Sequence, residues 1–169
     1  MPGFTLIEVL VILVIIGVVT AGVVLSISLA GSDRELETES ERLFALIKYV
    51  REQAELQTRE FGLYCDVDSY EFLAFDPRRD AWRSVSEDET LRARSLPEGL
   101  RLRLSVEGRE VVLKAPAAGE ERRPHIMIFS NGDLTPFELT LEREGMDRSV
   151  TLTSNEEGQI ELRKMEGAT

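Results

Sequence analysis

The chain has 169 residues, room for one ordinary domain and an appendage, and its 20 basic against 31 acidic side chains leave a net charge of −11. That balance argues against a nucleic-acid binder, which presents a basic face to phosphates. A lone cysteine, Cys65, excludes an intramolecular disulfide and a cysteine-clustered zinc site, and a lone histidine, His125, leaves a single imidazole base.

The charges are unevenly placed. Only Glu8 is ionisable among residues 1–32, so residues 33–169 hold all 20 basic and the other 30 acidic side chains, a net −10. Val9 to Ala30 is a run in which only Gly17, Thr20, Gly22, Ser26 and Ser28 lack apolar side chains. As a helix this run would extend roughly 33 Å, about the thickness of the hydrocarbon layer. Its many β-branched residues do not favour a strand, because a lone strand in lipid leaves its backbone groups unpaired. The run is predicted to be a transmembrane helix. Asp33, Glu35, Glu37, Glu39 and Glu41 outnumber Arg34 and Arg42 on the far flank, which predicts the body outside, in the periplasm if the cell is Gram-negative. Ser28-Leu29-Ala30 imitates a signal-peptidase site, but the apolar core is too long for a removable signal and Glu8 sits at its start. A plain signal anchor fits the length and gives no reason for the acid. A carboxylate at the edge of lipid is itself a functional hypothesis.

After Gly31-Ser32 the pattern becomes an amphipathic helix, with Leu36, Ser40, Leu43, Ile47, Val50, Ala54 and Gln57 on one stripe and Leu46 and Ala45 widening it. Glu35, Glu37, Glu39, Arg42, Lys48, Arg51, Glu52 and Glu55 fill the other face. No proline occurs between residues 3 and 76, so the two segments read as one long helix with a weak point at Gly31.

From Phe61 the period shifts to two. Strands are predicted at Phe61–Asp66, Tyr70–Asp76, Ala81–Ser84, Thr90–Ser95, Leu100–Val106, Arg109–Lys114, His125–Phe129, Phe137–Glu144, Arg148–Thr153 and Gln159–Arg163. Turns fall at Asp76-Pro77-Arg78-Arg79, Pro97-Glu98-Gly99, Glu107-Gly108, Ser130-Asn131-Gly132-Asp133, Glu144-Gly145-Met146 and Asn155-Glu156-Glu157-Gly158. Ala115–Pro124, with two prolines and a glycine, reads as a mobile loop. The expected fold class is α+β: a long N-terminal helix, transmembrane in its first half, packed against an antiparallel sandwich-like domain.

Chemistry-bearing residues are few. His125 opens an apolar run, where a strand-edge histidine is far more often structural than catalytic. Cys65 alternates with Leu63 and reads as a small buried apolar group. Asp66, Asp68 and Ser69 hint at a cation loop without the glycine and glutamate of EF-hand spacing, so a solvated turn is expected. Trp82, Phe137 and Tyr70 read as core or edge aromatics. With neither GxxxxGK nor GxGxxG present, no nucleotide cofactor is expected, nor any other cofactor.

The start, Gly3-Phe4-Thr5-Leu6-Ile7-Glu8, resembles the type IV prepilin signature. The resemblance implies peptidase cleavage between Gly3 and Phe4, N-methylation of Phe4, and an acid, Glu8, at the fifth mature position. Pro2 stands where the family usually carries Lys or Arg, and Leu25 where many major pilins carry proline. Glu8 would then neutralise a neighbouring subunit's α-amine inside a helical bundle, a strong pair in low dielectric that also sets axial register. Arg51-Glu52-Gln53-Ala54, Phe61-Gly62-Leu63, Asp80-Ala81-Trp82, Leu96-Pro97-Glu98-Gly99-Leu100 and Phe129-Ser130-Asn131-Gly132-Asp133-Leu134-Thr135-Pro136-Phe137 are similar to landmarks of the H-type minor pseudopilins of type II secretion.

This likeness implies a non-enzymatic structural subunit near the tip of a periplasmic pseudopilus, anchored in the inner membrane with its N-terminus cytoplasmic. Implied partners are the I-, J- and K-type minor pseudopilins, the major G-type subunit, the prepilin peptidase and the inner-membrane assembly platform. The organisation expected is a leader at 1–3, a transmembrane assembly helix at 4–32, an amphipathic helix at 33–60 and a β-rich periplasmic domain at 61–169. The alternatives are a type IV minor pilin, or a signal-anchored periplasmic enzyme or binding domain with a ligand-sized polar pocket.

Overall fold

The computed structural model of the chain describes residues 6–85, 88–114, 121–155 and 158–166, with side chains throughout these except at 21–33 and 166. The chain divides into two units, Met1–Glu35 and Leu36–Thr169, and helix α1 (Leu6–Gln57) contributes to both. Gly31, the expected weak point, lies within α1.

In the second unit α1 buries Leu36, Ser40, Leu43, Ile47, Val50 and Ala54, positions spaced alternately by four and three and therefore on one face. Leu46 joins them, while Gln57 and Ala45, expected on that stripe, are exposed. Glu39, expected on the polar face, is instead buried. The Tyr70 hydroxyl donates to Glu39 Oε1 at 3.2 Å and the Arg42 guanidinium donates to Oε2. These donors replace the water that the carboxylate gives up on burial. Thr58, with φ of 49°, ends the helix, and the Arg59 N–H reaches back to the Ala54 carbonyl at 3.1 Å.

The strands are β1 (Phe61–Cys65), β2 (Ser69–Asp76), β3 (Ala81–Ser84), β4 (Arg94–Ser95), β5 (Leu100–Val106), β6 (Arg109–Val111), β7 (Ile126–Ile128), β8 (Phe137–Arg143), β9 (Arg148–Ser154) and β10 (Ile160–Glu166). They form two antiparallel sheets, β3-β2-β1-β7 with β4 also on β2, and β10-β9-β8-β5-β6. The class is α+β: one N-terminal helix, then antiparallel sheets.

The second sheet alternates cleanly. Leu100, Leu102 and Leu104 of β5, Phe137, Leu139 and Leu141 of β8, and Val150 and Leu152 of β9 are buried in one cluster with the α1 stripe. Its other face is polar, with Arg103 paired to Glu142 at 2.7 Å and Thr140 bonded to Thr151 at 3.1 Å. The first sheet is covered on both faces. Phe61, Leu63, Cys65, Tyr70, Phe72 and Ala74 join the common core, whereas Leu73, 1% exposed, belongs to the opposite face. Residues 122–125 cover that opposite face. A Cβ on Gly62 would meet the Pro124 ring at 2.3 Å, so only glycine allows this approach. Arg122 Nη1 is bonded to Glu71 Oε2 at 2.6 Å, and Ser84 Oγ donates to the other carboxylate oxygen.

Three predicted strands are corrected. Thr90–Ser95 begins as a 3-10 turn over Glu89–Leu91, because Asp88 Oδ1 accepts the Thr90 N–H at 2.8 Å; only Arg94–Ser95 is strand. Arg109–Lys114 leaves the sheet after Val111: Leu113 is buried and the Lys114 carbonyl accepts from the Tyr64 hydroxyl at 2.8 Å. His125–Phe129 shrinks to Ile126–Ile128, since the Phe129 N–H turns to the Asp133 carbonyl. Of the expected loop Ala115–Pro124, residues 115–120 lie outside the described residues, and 122–124 are docked as above. Glu156 and Glu157 of the last predicted turn also lie outside them.

Candidate functional site

Within the first unit, Leu6, Ile7 and Val9 through Ile16 with Val18 and Val19 form the surface of α1, with exposures from 44% at Ile12 to 85% at Leu6. Consecutive residues on a helix point around its whole circumference, so this surface is apolar on every side. The Thr20 hydroxyl is turned inward, donating to the Ile16 carbonyl at 2.7 Å. Such a surface calls for lipid or other apolar helices as its neighbours. Among the described residues, no helix is long and apolar enough to cross a membrane. The apolar run in the sequence continues to Ala30, past the last of these described side chains.

Glu8 stands in the first turn of α1 and is exposed. A carboxylate there meets the positive end of the helix dipole, which is a local reason for an acid at this position. Gly3 and Phe4 lie outside the described residues.

The remaining sequence candidates fall into structural roles. His125 Nδ1 accepts the Cys65 backbone N–H at 3.2 Å, and its ring stacks on Tyr64 at 4.9 Å. Burial pushes the His125 pKa down, with the Asp66 charge pulling it partly back. Cys65 is fully buried, and burial first and the Asp66 charge second raise its thiol to about 12, which leaves no thiolate for chemistry near neutral pH. Asp66 Oδ1 accepts the Val67 N–H at 2.7 Å and so caps its own turn. Among the described residues no group of three or more His, Cys, Asp or Glu is placed to hold a metal ion. Tyr70 and Phe137 are core residues, and Trp82 lies half-buried against Phe75, 5.3 Å between ring centroids. Tyr70 titrates well above its ordinary range because it is buried and faces the Glu39 carboxylate.

The longest sequence landmark, Phe129–Phe137, is a turn docked on α1. Gly132, with φ of +86°, lies so close to Glu55 that a Cβ would meet its Oε1 at 2.0 Å. Asn131 Oδ1 accepts the Asp133 N–H at 3.0 Å, and the Gly132 N–H donates to the Phe129 carbonyl at 2.9 Å. One helical turn earlier, Arg51 Nη1 donates to the Gly158 carbonyl at 2.6 Å. The landmark thus carries shape: it seats a left-handed glycine against the last turns of the helix.

These residues lie inside the stretch that decides the family, because the profile of the family described as Type II transport protein GspH matches residues 39–158. The chain belongs to the GspH family. It is 36% identical over 159 residues to Type II secretion system protein H of Pseudomonas aeruginosa, covering 90% of each chain. It is 30% identical over 168 residues to the Aeromonas hydrophila protein of the same name, covering 95% of this chain and 92% of that one. In fold it is similar to the minor pseudopilin EpsH from the Type 2 Secretion System of Vibrio cholerae, with a TM-score of 0.64, 23% identity, and 77% and 97% of the two chains covered. As a GspH-family chain it is a minor pseudopilin of the type II secretion system, one of a class of structural subunits that assemble with other pseudopilins.

One arrangement is not legible in the residue order, where Asp76-Pro77-Arg78-Arg79 reads as a turn and nothing more. Arg59, Arg79 and Arg83 line a cleft of about 520 Å³ together with Asp76. The available signal was arginine clustering within an acidic chain, but Arg59 and Arg83 are separated in sequence and only the folded hairpin joins them.

Proposed function

We propose that this pseudopilin is made as an inner-membrane precursor, cut between Gly3 and Phe4, methylated at Phe4, and drawn from the bilayer into the pseudopilus, near its tip. In this reading residues 1–3 are the leader, 4–32 the transmembrane and assembly helix, 33–60 its amphipathic continuation, and 61–169 the periplasmic domain. The N-terminus begins on the cytoplasmic side. The observation that carries the reading is the all-round apolar surface from Leu6 to Val19, with Glu8 the only ionisable side chain before residue 33. A helix of this kind exchanges lipid for the apolar helices of neighbours without meeting water. Cleavage exposes an α-amine on Phe4, and the Glu8 carboxylate of an adjoining subunit neutralises it in low dielectric, where either charge alone is costly.

The partners in this scheme are the I-, J- and K-type minor pseudopilins and the major G-type subunit, with the prepilin peptidase and the assembly platform acting on the precursor. Mass spectrometry of the native N-terminus tests it: three residues lost and one methyl gained is expected, whereas an intact Met1-Pro2-Gly3 start overturns it. Glu8→Ala should insert normally yet lose most of its crosslinking to partner pseudopilins; undiminished crosslinking removes the charge pair from the mechanism.

A further inference from the structure

Residues 33–169 carry a net −10, yet three guanidiniums converge at the end of the β2–β3 hairpin. Arg59 follows the end of α1, Arg79 lies in the hairpin turn, and Arg83 stands on β3 opposite Ala74 of β2. Cross-strand partners share a face, and a residue as small as Ala74 leaves open space beside Arg83; Val85 also lines the cleft. Among the described residues Asp76 is the only carboxylate in that lining, against three arginines, an excess of two positive charges. Asp76 Oδ1 accepts the Arg78 N–H at 3.0 Å, while Oδ2 stands 3.8 Å from Arg79 Nη1 and 3.6 Å from Arg83 Nε, too far for hydrogen bonds. Arg79 and Arg83 are 61% and 52% exposed. Arg59 Nε is anchored on the Phe75 carbonyl at 3.1 Å.

We propose that this cleft docks an acidic segment of a partner chain, whose carboxylates engage Arg79 and Arg83. The planar guanidinium fork suits bidentate carboxylate recognition, and the excess of two charges matches two such groups. The cleft runs beside β3, the strand that ends its sheet, and an edge strand offers backbone partners to an extended peptide but not to an isolated anion. An acidic partner is repelled by most of this body and attracted here, so the cleft fixes the orientation of contact as well as adding affinity. The assembly reading enters only in naming the partner as another pseudopilus subunit.

The test uses the full chain in detergent micelles and a fluorescein-labelled oligoglutamate peptide, followed by anisotropy at low salt. The wild type should bind it, and Arg79→Glu combined with Arg83→Glu should weaken binding by about tenfold or more. Arg101→Glu with Arg103→Glu makes the same charge change on the outer face of the other sheet and should bind as the wild type does. Equal losses in both pairs would reduce the effect to a general field and overturn the proposal. Displacement by inorganic phosphate at the peptide's own concentration, or tighter binding to phosphatidylglycerol vesicles than to the peptide, would overturn it in favour of a small anion or a lipid surface. Should the glutamate pair disturb the hairpin, Arg79→Gln with Arg83→Gln is expected to weaken binding in the same direction, and unchanged binding defeats the proposal. The N-terminal mass of the same wild-type preparation reports separately on the assembly reading, so each idea can fail alone.

Discussion

Leu13 and Leu43 are leucines of the same helix, one 64% exposed and the other fully buried. Around Leu13 the neighbouring positions are apolar on every side, and none of the described residues of its own unit covers them. Around Leu43 the apolar residues form a single stripe, and the sheets of its unit cover that stripe completely. The difference lies in who supplies the apolar surroundings: the chain itself for the second stretch and, in the proposed assembly, lipid or other subunits for the first. The hydrophobic effect acts on both, but only the second contributes to folding of the isolated subunit.

Substitutions can break that contrast. Leu43→Ala should destabilise the second unit by about 3 kcal/mol, because the lost transfer energy is joined by a cavity. Leu13→Ala should leave the unfolding midpoint unmoved and act only on insertion and assembly. Urea unfolding in micelles, read by the fluorescence of Trp82, the only tryptophan, checks both. A comparable loss in the two variants would erase the distinction.

Gly62→Ala is the next largest effect. The new methyl would collide with the Pro124 ring, so the covering segment must shift, at about 1–3 kcal/mol in the same assay. The Arg122–Glu71 contact should loosen with it, seen as faster amide exchange at Arg122, Arg123 and His125. Tyr70→Phe removes one donor from the buried Glu39 carboxylate and should cost about 1–2 kcal/mol, with Arg42 retaining part of the compensation.

The smallest effect is on pH dependence. Because burial depresses the His125 pKa, the folded state prefers the neutral imidazole that accepts the Cys65 N–H. Its contribution to stability is complete above the ordinary histidine value of about 6.5 and is lost as pH falls through the lower folded value. Unfolding midpoints measured downward from neutrality should therefore decline, and His125→Gln should flatten that part of the profile. An identical slope in the variant would assign the decline to other groups.

Much of this architecture was legible in residue order. Periodicity of three and four placed Leu36, Leu43, Ile47, Val50 and Ala54 on one face, and alternation in Leu100–Val106 and Phe137–Arg143 marked their inward leucines. Glu8 and the apolar run after it were equally visible, since hydropathy and charge are local properties. The interior position of Glu39 was not, because it depends on Tyr70 arriving from a strand 31 residues away.

By itself, then, the order of residues placed the long helix and most of the strands, set the main apolar faces, and made the first stretch apolar on every side. Only the tertiary structure decided that Ile126–Ile128 pairs with β1, leaving residues 122–125 to cover the far face of the first sheet. It also decided that Arg59, Arg79 and Arg83 share one cleft. The reason is physical: backbone sterics and side-chain periodicity act between near neighbours in the chain. Strand order, close approach at a glycine and the sharing of charge depend on contacts between distant segments, which exist only once the whole core has formed.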